Sequence, residues 1–343
     1  MRMHGGNVYR HAGMLDFSAN ISPLGMPEAV RRAVTESAAE CAQYPDPHCT
    51  ALTAAIAEFE ACSPAQIVCG NGAADLIFRI VSAFRPRHAL LCAPTFSEYA
   101  HALMQNGCSI TEYPLDPARD FRADEGILSA ISDDTEILFL CTPNNPTGQL
   151  IAPALLRNIS EICAERHILL VCDACFLRFC KDAEAYSPRP YLRENGIILH
   201  AFTKLFAMPG LRLGYALCGS PETAETLRNT GQFWSVSVPA QAAGIAALQC
   251  TERIQQTVQY IAQERAFLAD GLRGSGIRVF PGAANFLLLT APADFAEQME
   301  QRGIIVRKCT DFHGLSDSYF RIAVRTHEEN ETLLAAVREV YGG

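Results

Sequence analysis

Lysine is the scarce residue of this chain. Only Lys181, Lys204 and Lys308 occur among 343 residues, against twenty-five arginines. Tryptophan occurs once, at Trp234. Basic residues number 28 against 37 acidic, a net charge of −9, and no basic patch stands out to meet the phosphates of a nucleic acid. No apolar run approaches the ~18 residues that a membrane span needs. The opening MRMHGGNVYRHAG lacks the apolar core of a secretory signal, so the expected location is the cytoplasm. What remains is a globular composition, 49% hydrophobic and 19% charged, long enough for one large domain and a smaller one.

Cysteine, by contrast, is abundant. The fourteen cysteines are scattered, mostly through apolar runs such as IVCG, LLCAP, LFLCTP and LLVCDAC. In a reducing compartment they act as small hydrophobes. Cys172 and Cys175 form a C-x-x-C with Cys180 nearby, but no second pair and no histidines at ligand spacing follow. They read as structural, and no metal is expected.

From about residue 65 to 218, short apolar runs alternate with amphipathic segments. Strands are expected at Ile67–Gly70, Ala89–Ala93, Ser109–Pro114, Glu136–Cys141, Ile168–Asp173, Ile197–Ala201 and Leu213–Cys218. Helices are expected between them, at Ala73–Phe84, Ser97–Asn106 and Pro153–Arg166. Strands apolar throughout imply an open α/β sheet, mostly parallel and seven-stranded, covered on both faces. Its functional groups should lie at the carboxyl ends of the strands. Residues 1–30 read as an extended arm, 31–240 as the large domain and 241–343 as a small α+β domain. One long helix is expected from Ala240 to Arg273, then strands at ANFLLLT, Ile304–Lys308 and Tyr319–Val324, and a last helix at Glu328–Tyr341.

Four strand ends carry unusual residues. CGNGAADLIF turns through glycine into a helix start, whose Gly72, Ala73 and Ala74 amides suit a phosphate. APTFSEY places Phe96 just past a strand, either to stack on a planar ring or to pack in the core. CTPNNPTG fixes the amides of Asn144 and Asn145 in a rigid turn. LLVCDACF ends on Asp173, a carboxylate in so apolar a run that it needs a cation, such as a protonated pyridine nitrogen. Lys204 follows, flanked by Phe202, Leu205 and Phe206, with Arg212 eight residues on. On that stretch alone it is either a strand-end lysine or a desolvated nucleophile.

The ordered set GNGA, PTFSEY, TPNNPTG, the aspartate-ended strand, TK and PGLRLGY resembles the pyridoxal phosphate enzymes of the aspartate aminotransferase fold. The resemblance implies pyridoxal 5'-phosphate bound covalently to Lys204, with Asp173 on its ring nitrogen. It also implies Asn145 on the ring hydroxyl and Phe96 stacked on the ring. Gly72, Ala73, Ala74, Thr203 and Arg212 would hold the cofactor phosphate. Tyr44, in AQYPDP, would reach the phosphate of a neighbouring subunit, which implies a homodimer. Arg321, in YFRIAVRT, would bind the substrate carboxylate through a bidentate fork.

The arm narrows the reaction. HGGNVYRHAG followed by LDFSANISPLGMP resembles the threonine-phosphate decarboxylase family of cobalamin biosynthesis. That resemblance implies decarboxylation of O-phospho-L-threonine to (R)-1-aminopropan-2-yl phosphate. Candidate ligands of the substrate are His4, Gly5, Gly6, Asn20, Asn145, Arg321 and Arg325, with Arg2 as a further cation. The chain departs from the family at Ser22, Ala174 and Ala201; the serine hydroxyl missing at 201 removes about 1 kcal/mol of phosphate binding. Changes at Ser22 and Ala174 leave phosphoserine open as substrate. A transaminase of histidinol phosphate and a non-catalytic scaffold are the alternatives, and retention of Lys204 with Asp173 argues against the scaffold.

Overall fold

The structure, a computed structural model, describes residues 5–6, 9 and 11–342. The expected seven-stranded sheet is present. Its strands are β1 (Ile67–Gly70), β2 (His88–Ala93), β3 (Ser109–Pro114), β4 (Ile137–Cys141), β5 (Leu169–Asp173), β6 (Gly196–Ala201) and β7 (Gly214–Cys218). Their order in the sheet is β1-β7-β6-β5-β4-β2-β3. The run from β6 to β3 is parallel, and only β7 is antiparallel to both its neighbours.

Consecutive apolar residues in each strand face opposite sides, which is why the strands lack polar alternation. Leu90, Leu138, Leu170 and Ile198 join the core on one face; Leu91, Phe139, Val171 and Ile197 join that on the other. Fully burying each such side chain contributes roughly 1.5–3 kcal/mol.

The small domain is a four-stranded antiparallel sheet, ordered Arg307–Lys308, Tyr319–Ala323, Phe286–Thr290, Arg278–Val279. Arm residues Leu15–Asp16 pair in parallel with Ile304–Ile305, and Phe17 is buried in the small-domain core. The run Ile304–Lys308 is therefore not one strand. Ile304–Ile305 serves the arm and Arg307–Lys308 serves the sheet.

The expected long helix is also divided, into Val238–Leu248 and Thr251–Gly274. Cys250 leaves helical geometry at φ −85°, ψ 49°. The break lets the first helix pack on Glu28–Ser37 and Thr50–Phe59, while the second packs on the C-terminal helix His327–Tyr341. Among the described residues no helix is long and apolar enough to cross a membrane.

Candidate active site

The carboxyl ends of β4, β5 and β6 and the amino end of β7 meet at one rim. Register pairs Cys141 with Asp173, and Ala201 with Gly214. Above this rim opens a cavity of about 460 Å³ between the sheet, the arm and the small domain. Its lining includes Asn145, Asp173, Thr203, Lys204, Arg212 and Arg321.

One end of the cavity is built for an anion. Helix Gly72–Phe84 starts there, and Ala73 and Ala74 line the wall beside Arg212. Gly72 has φ +84°, and a Cβ on it would lie 2.8 Å from Arg212 Nη2. Gly214 is similarly constrained, because its Cβ would stand 2.7 Å from the Ala73 amide nitrogen. Both glycines let backbone and guanidinium close around a small space. Arg212 itself sits in left-handed backbone at φ 55°, a conformation that costs about 1–3 kcal/mol and clusters at functional sites.

The floor is Asp173, only 5% exposed. The donors that reach it are neutral: the Tyr99 hydroxyl at 2.6 Å from Oδ2 and the Cys175 amide at 2.9 Å from Oδ1. Lys204 stands on a single helical turn, Phe202–Leu205, with Nζ 5.1 Å from the centroid of the Phe176 ring. Its carbonyl accepts from the Ser22 amide at 2.9 Å, which ties the arm to the lysine backbone.

The far end belongs to the small domain and the arm. Arg321 is buried, donating from Nη1 to Asn145 Oδ1 at 2.5 Å and from Nη2 to the Ser18 carbonyl at 2.9 Å. Burial lowers its guanidinium pKa to about 10, so it remains a cation at neutral pH. Arg307 lines the same end, held by both carboxylate oxygens of Asp311 at 2.8 and 2.7 Å. Gly6 donates to Ser18 Oγ at 2.8 Å, and Ser18 Oγ donates to Asp16 at 2.6 Å. Asn20 is buried here, and its Oδ1 has no hydrogen-bond partner among the described residues.

Most of the sequence candidates thus converge: Gly5, Gly6, Asn20, Ala73, Ala74, Phe96, Asn145, Asp173, Thr203, Lys204, Arg212 and Arg321 all line one cavity. Arg325 does not. It turns away to Glu329 at 2.8 Å, inside the capping box of the last helix, because that acid is one turn along the same chain segment. Tyr44 is 78% exposed and stacks on Trp234 at 4.5 Å, away from this chain's own cavity. His4 and Arg2 lie outside the described residues. Sequence reasoning missed Arg307, Asp16, Ser18 and Tyr99. The only available signal was the clustering of Asp16 and Ser18 in the quoted arm segment, and of Tyr99 three residues past Phe96.

The donor set tests for one kind of group. An amine, a buried carboxylate, an aromatic wall and an amide surround a space that ends in a helix start plus arginine. They fit a planar ring with a basic nitrogen, an aldehyde and a phosphate arm, which is pyridoxal phosphate.

This is the site of a fold type I enzyme, and the chain belongs to the aminotransferase class I and II family, whose model matches residues 12–337. It is 37% identical over 354 aligned positions to the threonine-phosphate decarboxylase of Salmonella typhimurium, covering 99% of this chain and 97% of that one. Among solved structures it superposes on histidinol-phosphate aminotransferase from Clostridium acetobutylicum with TM-score 0.89 at 29% identity, covering 96% and 99% of the two chains. A second, the Sinorhizobium meliloti histidinol-phosphate aminotransferase in complex with pyridoxal-5'-phosphate, gives TM-score 0.86 at 25% identity, covering 98% and 93%.

Proposed function

We propose that this chain decarboxylates O-phospho-L-threonine to (R)-1-aminopropan-2-yl phosphate and CO2 in cobalamin biosynthesis, with pyridoxal phosphate as cofactor. One observation carries the choice of substrate class. Three arginines line the cavity, at 212, 307 and 321. Arg212 serves the cofactor phosphate, and the far end presents Arg321 beside Arg307, whose guanidinium is shared with Asp311. A phosphorylated amino acid has both a carboxylate and a phosphate. Histidinol phosphate has only the phosphate, and its transamination would bring a carboxylate to this cavity only through a separate oxo acid.

When bound, the cofactor supplies an aldehyde for the substrate amine and a ring that accepts the electron pair left by departing CO2. Lys204 is the lysine at the cavity; its amine anchors the cofactor and returns a proton to Cα after the Cα–carboxylate bond breaks. Asp173 holds the ring nitrogen in its protonated form. Ala73, Ala74, Thr203 and Arg212 hold the cofactor phosphate, and Phe96 and Asn145 restrain the ring.

Arg321 holds the substrate carboxylate by its fork, while Arg307, sharing its guanidinium with Asp311, receives the substrate phosphate beside the Gly5 backbone. Two fixed anions leave the substrate little freedom to rotate about its Cα–N bond. Selection of CO2 loss over proton loss would then be a matter of how this grip orients the substrate at Cα. Tyr44 reaches the cavity of a second copy in a homodimer, which accounts for its exposure on the single chain.

The test is mass spectrometry of the product after O-phospho-L-threonine is incubated with the pyridoxal phosphate-loaded enzyme and no oxo acid. Catalytic loss of CO2 is expected. A product that forms only when an oxo acid is added, with no CO2 released, would replace decarboxylation by transamination.

A further inference from the structure

Asp173 has work to do on its cavity side, yet both of its oxygens already accept hydrogen bonds from the protein, one of them from a residue that does not line the cavity. The Tyr99 hydroxyl donates to Oδ2 and the Cys175 amide to Oδ1. Tyr99 comes from helix Ser97–Gln105 and is fully buried. Its ring stacks on Phe139 with centroids 5.0 Å apart and planes 13° apart. It also meets Phe96 edge to face at 5.6 Å and 84°. Phe96 lines the cavity and Tyr99 does not.

We propose that Tyr99 is a positioning residue, one that fixes Asp173 against the cofactor ring nitrogen and braces Phe96 against the ring face. The inference rests on the cofactor reading above and not on the identity of the substrate.

The chemistry of the contact explains why a tyrosine stands there. A carboxylate at a strand end turns freely about its last side-chain bond unless something ties its far side. A lysine or arginine would tie it, but that cation would also neutralise the charge the ring nitrogen needs. A neutral hydroxyl fixes the orientation and leaves the charge in place. Burial, then the charge of Asp173, raises the Tyr99 hydroxyl well above the usual tyrosine range, so it stays a donor throughout the working pH range. The spacing of Phe96 and Tyr99 puts both rings in contact, so one residue sets the height of the ring face and the position of the ring nitrogen together.

Tyr99→Phe keeps the ring and removes only the donor. Loss of one hydrogen bond to a buried charge predicts a rise in the cofactor dissociation constant on the order of 10- to 100-fold. The absorbance spectrum of the lysine-bound cofactor, read without substrate, should change its band ratio at fixed pH. In turnover, kcat should fall while KM for O-phospho-L-threonine stays within about threefold. Phe295→Leu, in the small-domain core and out of contact with Tyr99, is the packing control; it should lower Tm and leave the cofactor spectrum as in the wild type. A Tyr99→Phe enzyme with wild-type affinity and spectrum would overturn the inference, as would the same spectral change in Phe295→Leu. A wild-type enzyme that takes up no pyridoxal phosphate would overturn the cofactor reading and this inference with it.

Discussion

Replacing Arg321 separates the substrate carboxylate from everything else the cavity holds. Its guanidinium joins three parts of the molecule, bridging the small-domain sheet to Asn145 of the large domain and to the Ser18 carbonyl of the arm. Its Nε is buried with no partner among the described residues, which leaves donor capacity for a ligand. Arg321→Lys preserves a positive charge but replaces the planar fork by a point charge, so one of two contacts to a carboxylate is lost. A hydrogen bond to a charged group is worth about 1.5–3 kcal/mol, so kcat/KM should fall roughly 10- to 100-fold. Arg321→Ala removes both contacts and the charge, and leaves Asn145 and the Ser18 carbonyl without their donor. The expected loss is on the order of 1000-fold, with a lower Tm. The assay is steady-state CO2 release from O-phospho-L-threonine, run beside a titration of the apoenzyme with pyridoxal phosphate. Cofactor affinity should hardly change, because Arg212 and the helix start sit at the other end of the cavity. Arg321→Ala with kcat/KM within about threefold of wild type would refute the assignment. So would a loss of cofactor affinity as large as the loss of kcat/KM.

Two further outcomes follow from groups outside the substrate pocket. His200 stacks on Tyr215 at 5.0 Å, and burial pushes its imidazole from 6.5 down to about 4. The unfolded chain therefore binds a proton that the folded chain refuses, so stability falls as pH drops from about 6.5 and levels off below about 4, a change worth about 3 kcal/mol. Burial opposes the ionised form of Glu60, but the charges of Arg178 and Arg189 and the Tyr215 hydrogen bond, joined by His200 once it is protonated, outweigh it and hold its carboxyl below the usual range; its contribution is also lost in acid. Thermal unfolding across this range should show a slope that flattens in His200→Gln, and an unchanged slope would exclude His200 as its source. Trp234, the single tryptophan, is 47% exposed and carries Tyr44 on its face. If that patch is the dimer contact, dilution should shift Trp234 emission to the red as the sedimenting mass halves; a monomeric mass at every concentration would refute the homodimer.

What the sequence made legible was whatever lies close along the chain. Each strand, and each functional residue at a strand's end, is a local pattern: an apolar run, a turn, then one residue out of place. Asp173 was visible because a carboxylate does not belong after LLVC, and Lys204 because lysine is so rare here. Arg307 and Arg325 show the opposite case. Both are arginines near strands of the small domain, with nothing nearby in sequence to rank one over the other. Arg307 is buried at the cavity because strand register sets it opposite Arg321, and Asp311 four residues on holds it there. Arg325 has its own acid four residues on, but that acid caps a helix and draws the guanidinium away.

The long helix failed for a related reason. Nothing in QAAGIAALQCTERIQQ breaks a helical pattern, and Gln249 and Cys250 are ordinary helix residues. The break is imposed by the partners. Gly244 lets the first helix close on the large domain, where an added Cβ would lie 2.7 Å from Leu52 Cδ1. The second helix must instead leave toward the small domain, with Gly271 against Leu334. A helix that serves two bodies has to change direction between them, and only the packing says where. The same holds for the cavity. Its two ends are chemically simple, a helix start with an arginine and a pair of buried arginines, yet the ends come from residues far apart along the chain, Ala73 and Arg212 at one and Arg307 and Arg321 at the other. The distance between them is a property of how the arm and small domain sit on the sheet rather than of any motif, and the proposed pairing of a cofactor with a doubly charged amino acid depends on it.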